Sequence, residues 1–168
     1  IQAEGYLQMA RIEKDASNYD LAIQIFNKAL NIYEEVKDKL NYSTTLIEIG
    51  RVYTEQNELD KSLDVYRVAL KHFQATNNQP QIAKTLGPMG TIYRKVGNYK
   101  LAEENYLQAI KLHQEIGNQQ AEAIIQGNLG ALYQNQGYFQ KALVHLNQSL
   151  KLNQQVGNSK LVATILGN

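Results

Sequence analysis

Cysteine and tryptophan are absent from this chain of 168 residues. Without cysteine the chain cannot form a disulfide framework, a zinc–thiolate site or a cysteine nucleophile. A cysteine-free composition also suits a reducing compartment, so we expect a cytoplasmic protein. Proline occurs only twice, no apolar run approaches the roughly 18 residues of a membrane span, and no signal peptide is visible. These absences argue against the secreted disulfide-rich and membrane-spanning classes.

Strong charge of either sign is also missing. The chain has 17 Lys and Arg against 16 Asp and Glu, which gives a net charge of +1. The charge is uneven, because residues 1–80 hold 9 basic and 12 acidic side chains whereas residues 81–168 hold 8 and 4. A basic run with interleaved aromatic residues is typical of nucleic-acid interfaces, and no such run occurs in this sequence. We therefore expect no nucleic-acid partner and no membrane partner.

An internal repeat of 40 residues runs along the chain without insertion. Glycine and tyrosine form two of its columns, small residues form two more, and an aromatic residue or leucine lies between the small ones. The columns are Gly50, Gly90 and Gly130; Tyr53, Tyr93 and Tyr133; Ala22, Ser62, Ala102 and Ala142; Phe26, Tyr66, Tyr106 and Leu146; and Ala29, Ala69, Ala109 and Ser149. A period of this length predicts a stack of similar supersecondary units.

Each unit predicts helix A, a tight turn, helix B and a short loop, because the apolar residues follow helical spacing and hardly any stretch alternates as a strand does. The predicted helices span 2–16, 19–36, 41–56, 59–76, 80–96, 99–115, 119–136 and 139–155, and a ninth begins at 159. Small residues on both helices let a hairpin close to about 8–10 Å. One hairpin cannot bury its apolar face alone, so the hairpins are expected to stack into an open right-handed solenoid.

The columns resemble the tetratricopeptide repeat, whose pattern places Leu-Gly and Tyr on helix A and Ala-x3-Phe and Ala on helix B. Three copies carry the pattern: Ile49-Gly50-x2-Tyr53 with Ser62-x3-Tyr66-x2-Ala69, Met89-Gly90-x2-Tyr93 with Ala102-x3-Tyr106-x2-Ala109, and Leu129-Gly130-x2-Tyr133 with Ala142-x3-Leu146-x2-Ser149. The 40-residue period looks like the longer-helix variant of kinesin light chains and of many bacterial multi-repeat proteins. In the first repeat, Ala10 and Glu13 replace the glycine and the tyrosine.

The resemblance covers essentially the whole chain and implies an all-α fold, a right-handed superhelical solenoid of antiparallel helix hairpins. We expect a single array over residues 1–168 that is a fragment of a longer protein. Its repeats are expected at about 3–42, 43–82, 83–122 and 123–162, with the start of a fifth helix A at 159–168. Pro80 suits the first turn of its helix. Pro88 falls inside the same predicted helix and should bend it.

Catalysis finds little support in the sequence. His72, His113 and His145 fall at different phases of the repeat, so no two share a helical turn as metal ligands would. We expect these histidines to lie at the surface or at an edge. The glycines recur at turns and helix contacts, so no loop that cradles a phosphate is implied. The prediction is a protein that is not an enzyme, with no catalytic residues, no metal and no cofactor.

In proteins that this chain resembles, side chains of the A helices line a concave groove. The resemblance therefore implies a peptide-binding groove at positions three and two before each repeat glycine and one, four and five after it. The predicted binding residues are Arg11, Lys14, Arg51, Glu55, Arg94, Lys95, Asn128, Gln134 and Asn135. The same rule places Ile47, Glu48, Gly87, Pro88 and Gly127 there. The resemblance also implies that Asn128 holds the main chain of the ligand.

Three of the four arginines of the chain fall on this face, and a guanidinium pairs well with carboxylates. The leading hypothesis is therefore a protein–protein interaction module that binds a peptide segment of a partner, with an acidic partner favoured. One alternative is the sensor arm of a larger effector protein such as a protease, a kinase or a transcription regulator. The other is a structural scaffold that self-associates through its exposed terminal helix.

Overall fold

The computed structural model describes residues 2–157, which form eight α-helices joined by short turns and no strand. The helices are α1 (Gln2–Asp15), α2 (Tyr19–Glu35), α3 (Lys39–Glu55), α4 (Leu59–Ala75), α5 (Gln79–Lys95), α6 (Tyr99–Glu115), α7 (Gln119–Asn135) and α8 (Phe139–Gln155). Each boundary lies within two residues of the predicted one. The predicted ninth helix, from residue 159, lies outside the described residues.

The chain divides into two compact units, Ile1–Gln81 and Ile82–Asn168. In the first unit α1 packs against α2, α3 packs against α4, and α2 also contacts α3. In the second unit α5 meets α6, α7 packs against α8, and α6 contacts α7. The A helices are therefore α1, α3, α5 and α7, and the B helices are α2, α4, α6 and α8. This confirms the predicted all-α class built from helix hairpins.

The repeat glycines lie where the two helices of a hairpin approach most closely. A β-carbon built on each glycine would lie under 3.0 Å from a side chain of the following B helix. These distances are 2.8 Å from Gly50 to Tyr66, 2.8 Å from Gly90 to Tyr106, and 2.7 Å from Gly130 to Leu146. The large residue of the B helix therefore fills the space that the missing side chain leaves, as the small-residue columns predict.

The small-residue columns of the B helices form the rest of each hairpin core. Ala22, Ser62, Ala69 and Ala109 are fully buried, and Ala142 is 4% exposed. In the first repeat the glycine position is taken by alanine, and Ala10 is also fully buried. The departure from the glycine pattern therefore leaves this residue in the core.

Every turn passes through one residue with a positive φ, which is the left-handed conformation that commonly ends a helix. In the turns after α1 to α4 this residue is not glycine: Ser17, Lys37, Asn57 and Asn77 have φ between 50° and 63°. In the turns after α5 to α8 it is Gly97, Gly117, Gly137 and Gly157. The two units thus use the same turn with different residues.

Polar side chains cap several helix starts. The carboxylate of Asp38 accepts a hydrogen bond from the backbone N–H of Asn41 at 3.0 Å, and that hydrogen bond is the main reason why the pKa of Asp38 is lowered. Asn98 and Asn118 cap α6 and α7 in the same way. These caps satisfy N–H groups that the first helical turn leaves without a partner.

The two prolines both lie in α5. Pro80 is the second residue of the helix, where a missing N–H costs little, as predicted. Pro88 lies inside the helix, which continues to Lys95. Among the described residues, no helix is long and apolar enough to cross a lipid bilayer.

Candidate functional site

The A-helix face of the first unit contains a small depression between α1 and α3. Its lining comes from Leu7 and Arg11 on α1 and from four side chains of α3, which are Asn41, Thr44, Thr45 and Glu48. Arg11 was a predicted binding residue, and the structure brings it to the same depression as Glu48. The depression therefore combines a cation, a carboxylate and short hydroxyl and amide side chains, which can pair with a peptide main chain.

Glu48 lines this depression and is largely buried. Its side chain is only 9% exposed, and Oε1 lies 3.4 Å from Nη1 of Arg51 one turn further along α3. Burial of a carboxylate is costly unless a cation or a hydrogen-bond donor accompanies it. Arg51 therefore pairs with this carboxylate, and Arg11 lines the same depression as Glu48.

Other predicted residues of the first unit have simpler surroundings. Lys14 pairs with Asp15 at 3.4 Å, and 20% of its side chain remains exposed. Glu55, at the end of α3, is exposed. Thr54 donates to the carbonyl of Gly50 and contacts the hydroxyl of Ser62. Thr54 thus serves the α3–α4 contact.

The A helices of the second unit carry the remaining predicted residues. Arg94 is half-buried on α5, and its Nε is buried without a hydrogen-bond partner among residues 2–157. Asn128 is half-buried on α7, whereas Lys95, Gln134 and Asn135 are exposed at the carboxyl ends of α5 and α7. In this unit an amide and a guanidinium are thus only half accessible.

The position three residues before each repeat glycine is occupied by a packing residue, although we predicted it for the groove. Ile47 is 1% exposed and belongs to the core of the first unit. A β-carbon on Gly87 would lie 2.6 Å from Ile125, so Gly87 marks the contact of α5 with α7. A β-carbon on Gly127 would lie 3.4 Å from Ser149 on α8. These residues therefore contribute to the packing of the A helices.

The prediction that all three histidines lie at the surface or an edge is wrong for His113. Its side chain is 5% exposed on α6, and its Nδ1 is buried without a hydrogen-bond partner in the described part of the chain. Burial lowers the pKa of His113, and the nearby Glu122 opposes this effect. Glu122, 5% exposed on α7, accepts hydrogen bonds from Gln114 at 2.7 Å and Gln126 at 3.4 Å.

The same polar contacts continue to α8. The Oε1 of Gln126 lies 2.8 Å from Nδ1 of His145, whose ring stacks on Tyr133 with centroids 5.3 Å apart. The hydroxyl of Tyr133 donates a hydrogen bond to Glu103 on α6. The pKa of Tyr133 is raised mainly because the side chain is buried and secondly because of this hydrogen bond. Little in the sequence pointed to this network, because some of its residues, such as Gln126 and His145, occupy columns that hold Leu46 and Val65 in the first unit.

The polar groups of these surfaces are amides, hydroxyls, guanidinium groups and paired carboxylates, which act as hydrogen-bond partners. No group of three or more His, Asp or Glu side chains that could hold a metal ion occurs within residues 2–157.

Comparison with solved structures shows the same fold. BtubC (BKLC) from P. vanneervenii superposes with a TM-score of 0.84 at 20% sequence identity, and the match covers 90% of this chain and 62% of that one. The apo form of RapI superposes with a TM-score of 0.82, also at 20% identity, over 96% of this chain and 45% of that one. The chain therefore spans less than two thirds of these neighbours. No curated protein matches the sequence.

A family model gives the assignment. The model of the tetratricopeptide repeat matches residues 2–75 and residues 81–166, which together span nearly the whole chain. The match agrees with the packed helix pairs, the glycine–aromatic contacts and the likeness to the two solved structures. The chain belongs to the tetratricopeptide repeat family.

Proposed function

We propose that this chain is a protein–protein interaction module that binds a peptide segment of a partner on its A-helix faces and carries out no chemistry itself. The single observation that carries the proposal is the depression between α1 and α3, which Arg11 and the buried Glu48 line and beside which Arg51 pairs with Glu48. Each unit provides its own recognition groups.

In the first unit the recognition groups favour an acidic peptide. Glu48 compensates one of the two arginines, so the other remains available to a carboxylate of the ligand. Asn41 and Thr44 lie on the wall of the same depression and can pair with main-chain amides. The buried Glu48 also holds the Arg51 guanidinium in one place, which reduces the entropy that binding must overcome.

In the second unit Arg94 and Asn128 are the recognition groups. Arg94 is half-buried, and its guanidinium carries N–H donors besides the buried Nε. Asn128 is half-buried, and an amide side chain can donate to and accept from an extended main chain at once. Both residues support a peptide ligand in this unit as well.

A selection from a displayed library of random 12-residue peptides tests the proposal. We expect the selected peptides to be enriched in Asp and Glu. Their affinity should fall for Arg11→Gln/Arg51→Gln, by about 2 kcal/mol or more, because each hydrogen bond to a charged group is worth roughly 1.5–3 kcal/mol. Added salt should weaken the binding of the same peptides, because the arginine side chains remain partly solvated.

The matched control is Arg67→Gln. This arginine lies on α4 and pairs with Asp64, away from the A-helix face, so its replacement should leave peptide affinity unchanged. The double variant Arg51→Ala/Arg94→Ala removes one arginine from each unit, and its peptide affinity is measured in the same way. If neither double variant nor added salt changes the affinity of the selected peptides, the peptide-binding surface does not lie on the A helices.

A further inference from the structure

A second candidate site lies in the first unit, away from the A-helix depression. Two clefts meet at His72 on α4, and both are lined by His72 and by Lys39 at the start of α3. One has a volume of about 540 Å³ and reaches Phe73. The other has a volume of about 390 Å³ and lies between the end of α2, the start of α3 and α4. Volumes of this size are typical of small-molecule sites.

The ring of His72 is held by a hydrogen-bonded pair. The buried hydroxyl of Ser43 lies within hydrogen-bond distance of two acceptors, the carbonyl of Lys39 at 2.8 Å and Nδ1 of His72 at 2.7 Å. In the tautomer with its proton on Nε2, Nδ1 accepts from this hydroxyl and Nε2–H is a donor that a carboxylate can accept. The half-buried ring lines both clefts. Ser43 thus helps to position the ring of His72 at the clefts.

The fold itself does not need this pair, as the other repeats show. At a spacing of 40 residues, Ser43 corresponds to Ala3, Ala83 and Ala123, all of which are buried. His72 corresponds to Ile32, Leu112 and Leu152. The other repeats therefore build the same contact from alanine and an aliphatic residue. A histidine and a serine at this contact bring polar groups to a place where an apolar pair suffices.

Two lysines depart from the repeat at the same cleft. Lys37 has φ of 57°, and the equivalent turn positions are Asn77, Gly117 and Gly157. A lysine in this conformation is strained, whereas asparagine and glycine tolerate it. Lys39 corresponds to Gln79 and Gln119. Neither lysine forms an ion pair in the part of the chain that the structure describes.

The smaller cleft is both aromatic and cationic. Tyr33 and Tyr42 form two of its sides, and the Tyr42 ring lies 6.3 Å from that of His72. Lys37 and Lys39 line it together with a single carboxylate, Glu34, so the lining carries an excess of positive charge. Flat apolar walls beside ammonium groups and a hydrogen-bonding imidazole suit a planar ring that bears a negative group.

We propose that the cleft between α2, α3 and α4 binds a small aromatic carboxylate, with its ring against Tyr33 and Tyr42 and its carboxylate between Lys37, Lys39 and His72. The proposal rests on three departures from the repeat that line one cleft, namely Lys37, Lys39 and His72, and on a fourth, Ser43, which contacts His72. It is independent of the peptide surface on the A helices, because the two share no lining residue.

Isothermal titration of the full chain with 3-phenylpropanoate tests the proposal. We expect saturable binding, and about ten-fold weaker binding of 3-phenylpropanamide, which has the ring but no charge. The variant Ser43→Ala/His72→Leu introduces the pair of the other repeats, so it should fold. We expect it to bind the acid at least about five-fold more weakly than the parent.

Two single substitutions separate charge near the site from charge elsewhere. Lys39→Gln introduces the glutamine that two other repeats have at this position, and it should weaken binding of the acid about three-fold or more. The matched control Lys71→Gln changes an exposed lysine of α4 that lines neither cleft, and it should leave the affinity unchanged. Thermal melting of all variants checks that each one is folded.

Four results would overturn the proposal. The first is no saturable binding up to about 10 mM. The second is equal affinity for acid and amide, and the third is parental affinity in Ser43→Ala/His72→Leu. The fourth is tighter binding of a short peptide that ends in phenylalanine, because the cleft would then serve a polypeptide. Loss of peptide binding on the A helices would leave this site unaffected.

Discussion

The two units of this chain are built on the same 40-residue repeat but from different residues. In the first unit the contact of α2 with α3 has Tyr33, Tyr42 and Leu46 in the columns where the contact of α6 with α7 has His113, Glu122 and Gln126. In the first unit the left-handed turn residues are Ser, Lys and Asn, and in the second they are all Gly. One backbone thus tolerates apolar or hydrogen-bonded contacts between hairpins.

The difference teaches which columns specify the fold. The glycine, the large residue opposite it and the small residues are present in both units and lie in the core of each hairpin. The columns between successive hairpins vary in polarity and even hold buried polar atoms without partners, such as Nδ1 of His113. Close approach of two helices within a hairpin is therefore the constraint that both units share.

The largest expected effect tests that shared constraint. Gly50→Leu in the first unit and Gly90→Leu in the second should each destabilise the protein by about 3 kcal/mol, because the new side chain collides with Tyr66 or Tyr106. Urea unfolding measures the loss. Gly5→Leu is the matched control, since a β-carbon at Gly5 meets no atom within 4 Å. A loss confined to one unit would break the comparison.

The next effect tests the polar contact of the second unit. His113→Phe introduces the residue that Phe73 provides in the same column and removes a buried nitrogen without a partner. We expect a gain of about 1–2 kcal/mol at pH 7.5. Equal or lower stability of the variant in urea would show that the network around Glu122 stabilises this unit.

The same variant makes a prediction about pH. Burial lowers the pKa of His113 below that of an unfolded histidine, so the folded protein favours the neutral ring. Stability due to this group is present above the unfolded pKa of about 6.5 and is lost as the pH falls through the lower pKa of the folded state. The advantage of His113→Phe should therefore widen between pH 7.5 and pH 5.5. Burial also lowers the pKa of His145, which adds a dependence of the same sign in both proteins.

A smaller effect concerns the turns. Gly117→Lys should cost about 1 kcal/mol, because a side chain disfavours the φ of 69° at this position. Lys37→Gly should gain about 0.5 kcal/mol, since relief of strain exceeds the added freedom of the unfolded chain. Thermal melting of both variants against the parent checks the pair. Changes of the same sign would show that the turns of the two units differ in more than their residues.

The smallest effect concerns the contributions to stability of two of the three candidate binding arginines, Arg51 and Arg94. Arg51→Gln removes a partner of the buried Glu48 and should cost about 0.5 kcal/mol, since this ion pair is partly solvated. Arg94→Gln removes a group with a buried nitrogen that has no partner within residues 2–157, so we expect no loss. Denaturant midpoints distinguish the two. A larger loss for Arg94→Gln would reverse their roles.

Much of the architecture was predictable from the sequence. The 40-residue period and the positions of the turn residues predicted eight of the described helices to within two residues, because helix length is limited by residues that break it. The columns of Gly50 and Tyr66 predicted which faces of helices A and B pack against each other, because a large side chain fills the space that a small residue leaves on the opposite helix. Arg11 and Arg51 were predicted to belong to a binding groove, and that role stays a prediction; Arg11 lines one depression with Glu48, and Arg51 pairs with Glu48.

The tertiary structure alone decided how the polar side chains are paired. The repeat pattern already separates the two histidines, because they lie at different phases of the repeat and His113 shares its column with the buried Phe73. Their polar partners come from different A helices: Glu122 acts on His113 from the following helix, α7, whereas Ser43 contacts His72 from the preceding helix, α3. Helical periodicity and turns are local properties, and the sequence by itself determines them. Burial, pairing and pKa depend on residues that approach only after the hairpins pack, and those the tertiary structure determines.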